Sequence, residues 1–106
     1  MPQSSLPLEG IRVLELGHNI MGPVCGLILA DMGAEVYKVE RPGKGDDTRW
    51  LGGFGAGFFT CFNRNKRSLA IDLKSEEGRA LFLRLIEQTD VVIENFAPGT
   101  VDRLGV

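Results

Sequence analysis

The sequence predicts an α/β fold: an open, parallel, Rossmann-like sheet with helices on both faces. Three observations carry this expectation. A strand, a short helix and a second strand follow one another within about thirty residues, the length of a βαβ crossover. A further strand–helix–strand series comes after a long loop. The last strand of that series, "DVVIEN", alternates too little to face water, as a central parallel strand would.

The first strand is "IRVLEL", Ile11 to Leu16, approached through Pro7 and Gly10. A turn punctuated by Gly17, Gly22 and Gly26 follows. Pro23 suits a first helical turn, where its missing N–H costs nothing. "VCGLILADM" reads as a short buried helix, closed by Gly33 in the left-handed conformation. Glu35 to Glu40, "EVYKVE", alternates and forms the second strand. From Arg41 to Phe59 the chain is rich in glycine and charge and has no period, so it reads as a long functional loop. Its aromatic residues argue against disorder. Ser68 to Leu73 is the third strand, and Ser75 caps a helix running to about Gln88. Leu81, Phe82, Leu85 and Ile86 form the stripe that this helix buries. Asp90 to Asn95 is the fourth strand, and Pro98, Gly99 and Thr100 open a short last helix.

The chain has 106 residues and a net charge of −2. It is one small domain by length, or part of a larger one. The slightly acidic balance gives no reason to expect nucleic acid or an anionic membrane as partner. Cys25 and Cys61 are read as buried free thiols, with no C-x-x-C and no zinc spacing to indicate a metal. The N-terminus has no basic and apolar leader, and no apolar run approaches the roughly 20 residues of a membrane span. The absence of an address makes the cytoplasm the default expectation.

Ligands of open parallel sheets bind at the carboxyl ends of the strands. That rule selects Gly17 to Met21, Arg41 to Gly45, Lys74 with Ser75, and Asn95 to Ala97. The first of these, with Glu40 closing the second strand, imitates a dinucleotide site. The fingerprint G-x-G-x-x-G is absent, however, because the glycines of "GHNIMGPVCG" lie too far apart. His18, the only histidine, has no partners that make a catalytic triad. Arg64, Lys66 and Arg67 precede the third strand and read either as a solvated turn or as an electropositive rim. Arg41, Lys74 and Arg103 lie nearer the carboxyl ends, where cations can share one phosphorylated ligand.

In order, "PLEGIRVLEL", "LADMGAEVYKVERPGKGDDTR", "FNRNKRSLAIDLKSEEGR" and "DVVIENFAPGTVDRLGV" resemble the start of the class III CoA-transferases, the formyl-CoA transferase and carnitine CoA-transferase group. The resemblance runs from about Leu6 to Val106. It implies that residues 1–106 are the N-terminal part of a large Rossmann-like domain that binds coenzyme A. It also implies a smaller domain and an interlocked homodimer. The implied activity is transfer of CoA from an acyl-CoA to a carboxylic acid, with CoA thioesters as substrates and no permanently bound cofactor. The matching CoA-contact positions are Ile20, Met21, Arg41, Ile71, Asp72, Leu73, Lys74, Asn95, Phe96, Ala97 and Arg103, with His18 as a neighbour of the active site. Isoleucine at position 20 departs from the polar residue that many transferases carry there. The family's nucleophilic aspartate lies downstream of the quoted motifs and matches no Asp here, so the chain alone is expected to be inactive. An α-methylacyl-CoA racemase-like member shares the same implied site, and a non-catalytic CoA- or nucleotide-binding module or an inactive remnant is the alternative outside catalysis.

Overall fold

The computed structural model describes residues 5–106 of the chain. Four parallel strands form one sheet: β1 (Arg12–Glu15), β2 (Glu35–Glu40), β3 (Arg67–Ala70) and β4 (Val91–Ile93). Their spatial order is β3-β2-β1-β4. The chain therefore reverses its winding direction between β1 and β4, and a crevice opens there at the carboxyl ends.

Four helices accompany the strands: α1 (Met21–Asp31), α2 (Phe58–Phe62), α3 (Glu76–Ile86) and α4 (Thr100–Leu104). Successive strand residues point to opposite faces. Val13, Val36 and Ile93 pack on one face with Ala30 of α1 and Ala34. Leu14, Leu16, Val39 and Ile71 pack on the other with Phe82 of α3. Helices thus cover both faces, as expected.

Local chemistry accounts for the boundaries. Ser75 accepts a hydrogen bond from the Gly78 amide at 2.9 Å and caps α3, with Glu76 and Glu77 in the positive first turn. Gly33 adopts φ +103° and ends the α1 segment. No helix among the described residues is long and apolar enough to cross a membrane.

Several expectations are corrected. Among the described residues β4 pairs only with β1, and Val91 and Val92 are exposed. The segment after β2 is not featureless: it holds two 3₁₀ turns, Asp47–Trp50 and Gly53–Gly55, followed by α2. The strand β3 stops at Ala70, so Ile71, Asp72 and Leu73 belong to the turn before α3. Cys25 and Cys61 are exposed, not buried. Helix α1 is apolar on every side, so its sequence alone does not reveal which side meets the sheet. Leu81 is also exposed, and the buried arc of α3 centres on Phe82.

Candidate functional site

A cavity of about 540 Å³ opens over the carboxyl ends of the strands. Each wall comes from a different connection. His18 stands in the turn after β1, Arg41 and Asp47 in the loop after β2, and Ile71 to Lys74 in the turn after β3. Phe96, Thr100 and Leu104 close the side beyond β4. The His18 ring stacks on Phe96 with centroids 5.3 Å apart. Arg41 donates from one terminal nitrogen to the Asp47 carboxylate and to the Gly45 carbonyl. Its Nε and other terminal nitrogen bond no group among the described residues, which leaves donors for an incoming anion. Lys74 is exposed at the rim.

Of the residues singled out in the sequence, His18, Arg41, Ile71, Asp72, Leu73, Lys74 and Phe96 line this cavity. Ile20, Met21, Asn95, Ala97 and Arg103 do not. Ile20 and Met21 are exposed at the start of α1, and Ala97 is exposed between β4 and α4. Arg103 donates to the Thr100 hydroxyl at 3.0 Å within α4. The Asn95 side chain faces the first turn instead, where its amide meets the His18 backbone.

The floor is a set of charged groups that the sequence reading missed. Register places Glu15 directly beside Lys38 on the face that α1 covers. Lys38 Nζ lies 3.0 Å from Glu15 Oε2, 3.0 Å from the Gly17 carbonyl and 2.8 Å from Asp46 Oδ2. Lys66 reaches the other Glu15 oxygen at 2.6 Å, the Pro23 carbonyl at 2.7 Å and Asn63 Oδ1 at 2.9 Å. One carboxylate therefore bridges two ammonium groups, each close to three acceptors. Buried charges persist when paired and hydrogen-bonded in this way. The signal in the sequence was parity: Glu15 shares a face with Val13, and Lys38 with Val36. Opposite them Gly26 leaves room, since a Cβ there would lie 1.9 Å from Glu15 Oε1.

Glu40 accepts from Arg49 at 2.8 and 2.6 Å, from the Asp46 amide at 2.8 Å and from Ser68 at 2.8 Å. Burial acts to raise its pKa, but these bonds outweigh burial and bring it down to about 2. Its oxygens are all engaged inside the protein, so it does not serve as a ribose-binding acid. Burial also acts to raise the pKa of Asp46, and its bonds with Lys38 and Thr48 outweigh that and lower it. Burial lowers the pKa of Lys66, with Glu15 opposing.

The basic cluster is thereby explained. Lys66 belongs to the buried network, Arg64 pairs with Asp31 at 2.9 Å, and Arg67 lies 3.7 Å from Glu35. These three cations face carboxylates of their own chain. Among the described residues, no group of three metal-ligating side chains comes together.

Comparison with known proteins agrees with the fold and with the resemblance. The sequence model of CoA-transferase family III matches residues 8–106. An acyl-CoA transferase of Fusarium pseudograminearum is 49% identical over 93% of this chain and 24% of its own length. The succinyl-CoA–D-citramalate CoA-transferase of Chloroflexus aurantiacus is 49% identical, over 94% of this chain and 26% of its own length. The crystal structure of a CAIB/BAIF family protein from Brucella suis superposes with a TM-score of 0.88 at 45% identity, covering 97% of this chain and 29% of that one. The chain spans about a quarter of the length of the curated relatives it matches. With the matched region extending over nearly every described residue, the chain belongs to CoA-transferase family III.

Proposed function

We propose that this chain is the coenzyme A-binding part of an enzyme that moves CoA from an acyl-CoA to a carboxylic acid. The observation that carries the reading is the cavity, in which Arg41 and Lys74 border apolar walls formed by Ile71, Leu73 and Phe96. That combination suits a ligand with phosphates at one end and a flat heterocycle at the other. The cations supply hydrogen bonds to phosphate oxygens, and the apolar walls take the adenine. Residues 1–106 then form the N-terminal part of the large domain, and the protein acts as a homodimer. The edge of β4 supports the larger domain, since it offers unpaired backbone groups to a further strand of the same sheet.

The carboxylates at the cavity are engaged. Asp46 faces Lys38, Asp47 faces Arg41, and Asp72 accepts from the Lys74 amide at 3.0 Å. The resemblance places the nucleophilic aspartate downstream of the motifs present here, and on that reading the 106-residue chain alone transfers no CoA.

Calorimetric titration with CoA tests the binding site. Replacing Arg41 and Lys74 together by alanine is expected to weaken CoA by about thirtyfold, from the loss of two charge-assisted contacts at a partly exposed rim. Unchanged affinity in the double variant refutes the assignment.

A further inference from the structure

The loop after β2 carries Arg41, yet almost nothing apolar holds it in place. Between residues 41 and 50 only Asp46 and Thr48 are buried. Both belong to one polar plug. Asp46 Oδ1 accepts from the Thr48 amide at 2.8 Å and from its hydroxyl at 2.7 Å. Asp46 Oδ2 sits 2.8 Å from Lys38 Nζ, in the floor of the sheet. The Asp46 amide donates to Glu40 at 2.8 Å, and Arg49 grips the same carboxylate from the far end of the loop. The reversal between them needs Gly45, whose φ is +71° and where a Cβ would lie 2.5 Å from Glu40 Oε2. The residues on either side of Asp46, Gly45 and Asp47, are the two that hold the Arg41 guanidinium.

We propose that Asp46 is a positioning residue for CoA binding: by plugging into Lys38 it fixes the loop after β2 and so sets the place of Arg41 at the cavity rim. Lys38 also holds the Gly17 carbonyl at 3.0 Å. One ammonium group therefore ties the connections after β1 and β2 together and fixes the spacing between the His18 side and the Arg41 side of the cavity. The proposal rests on the CoA-binding reading above, but it concerns a group beneath the site.

Calorimetry with CoA on the wild-type protein, Asp46→Asn, Arg41→Ala and the double variant tests the proposal. Asp46→Asn is expected to weaken CoA by about tenfold, and by less than about twofold once Arg41 is already alanine. Equal affinity of Asp46→Asn and wild type overturns the proposal. So does a tenfold loss that persists undiminished in the Arg41→Ala background, because Asp46 then acts by another route. Hydrogen exchange without ligand gives a second readout. The amides of Gly45, Thr48 and Arg49 should exchange about tenfold faster in Asp46→Asn, with those of β1 unchanged. Unchanged exchange in the loop also overturns it. If Asp46→Asn does not fold, Thr48→Val removes one donor to Asp46 and carries the same expectations at about threefold. A wild-type protein that binds no CoA refutes the proposed function, and the exchange measurement then decides the role of Asp46 by itself.

Discussion

Asn95 and His18 exchange two hydrogen bonds across the point where the sheet changes winding direction. The His18 amide donates to Asn95 Oδ1 at 2.9 Å, and Asn95 Nδ2 donates to the His18 carbonyl at 3.0 Å. The side-chain amide behaves as one more strand residue and joins the turn after β1 to the turn after β4. Gly22 makes room for it, since a Cβ there would come within 2.8 Å of Asn95 Oδ1.

Asn95→Leu should therefore leave a part-buried backbone donor and acceptor without partners. The expected loss is about 2–3 kcal/mol of stability. Asn95→Asp, which keeps the acceptor and loses the donor, should cost less. Chemical denaturation of the three proteins checks the order.

Glu15→Gln should be among the most damaging isosteric changes in the chain. It leaves two buried ammonium groups, Lys38 and Lys66, with Asp46 as the sole remaining carboxylate against them. Breaking a buried pair in this way costs about 3–5 kcal/mol. A variant that unfolds at the wild-type urea midpoint would contradict the network.

Gly26→Ala raises intrinsic helix propensity by about 1 kcal/mol. It is nevertheless expected to destabilise, by about 2 kcal/mol net, because the new methyl group collides with the Glu15 carboxylate. Thermal denaturation decides the sign. A rise in Tm would mean that Glu15 has room to move.

Acid stability should report on Glu40. Its pKa is about 2 in the folded protein against an ordinary value of 4.5. The unfolded chain therefore binds the proton more readily. The stabilisation is complete above the unfolded value and is lost as pH falls through about 2, amounting to about 3 kcal/mol. In a titration of unfolding free energy against pH, Glu40→Gln should flatten this acid limb.

Much of the frame was legible in the sequence because local signals and tertiary structure agree. Glu35 to Glu40 alternates between glycine and proline breaks, and β2 has those same bounds. Ser75 reads as a cap and is one. The carboxyl-end rule selected Arg41, Lys74 and the turn after β1 without knowledge of the strand order. Charged groups beneath the cavity were harder to read. Glu15 and Lys38 look like surface positions of two amphipathic strands, and only register reveals that they face each other under α1. Asn95 was placed at the right loop, but its bonds to the His18 backbone were not legible, since sequence gives a side chain's position but not its hydrogen-bond partner. Arg64, Lys66 and Arg67 drew attention as a cationic run, and their carboxylate partners lie about thirty residues or more away in the chain.

The two tiers of ion pairs respond differently to ionic strength. The Arg41–Asp47 pair stands in solvent, where salt screens it within a Debye length of about 8 Å under physiological conditions. The Lys38–Glu15–Lys66 bridge is sealed from water and feels little of that screening. Added electrolyte therefore loosens the arginine's tether to its neighbour while leaving the foundation of the loop intact, so the rim can exchange one anion for another on a floor that does not shift.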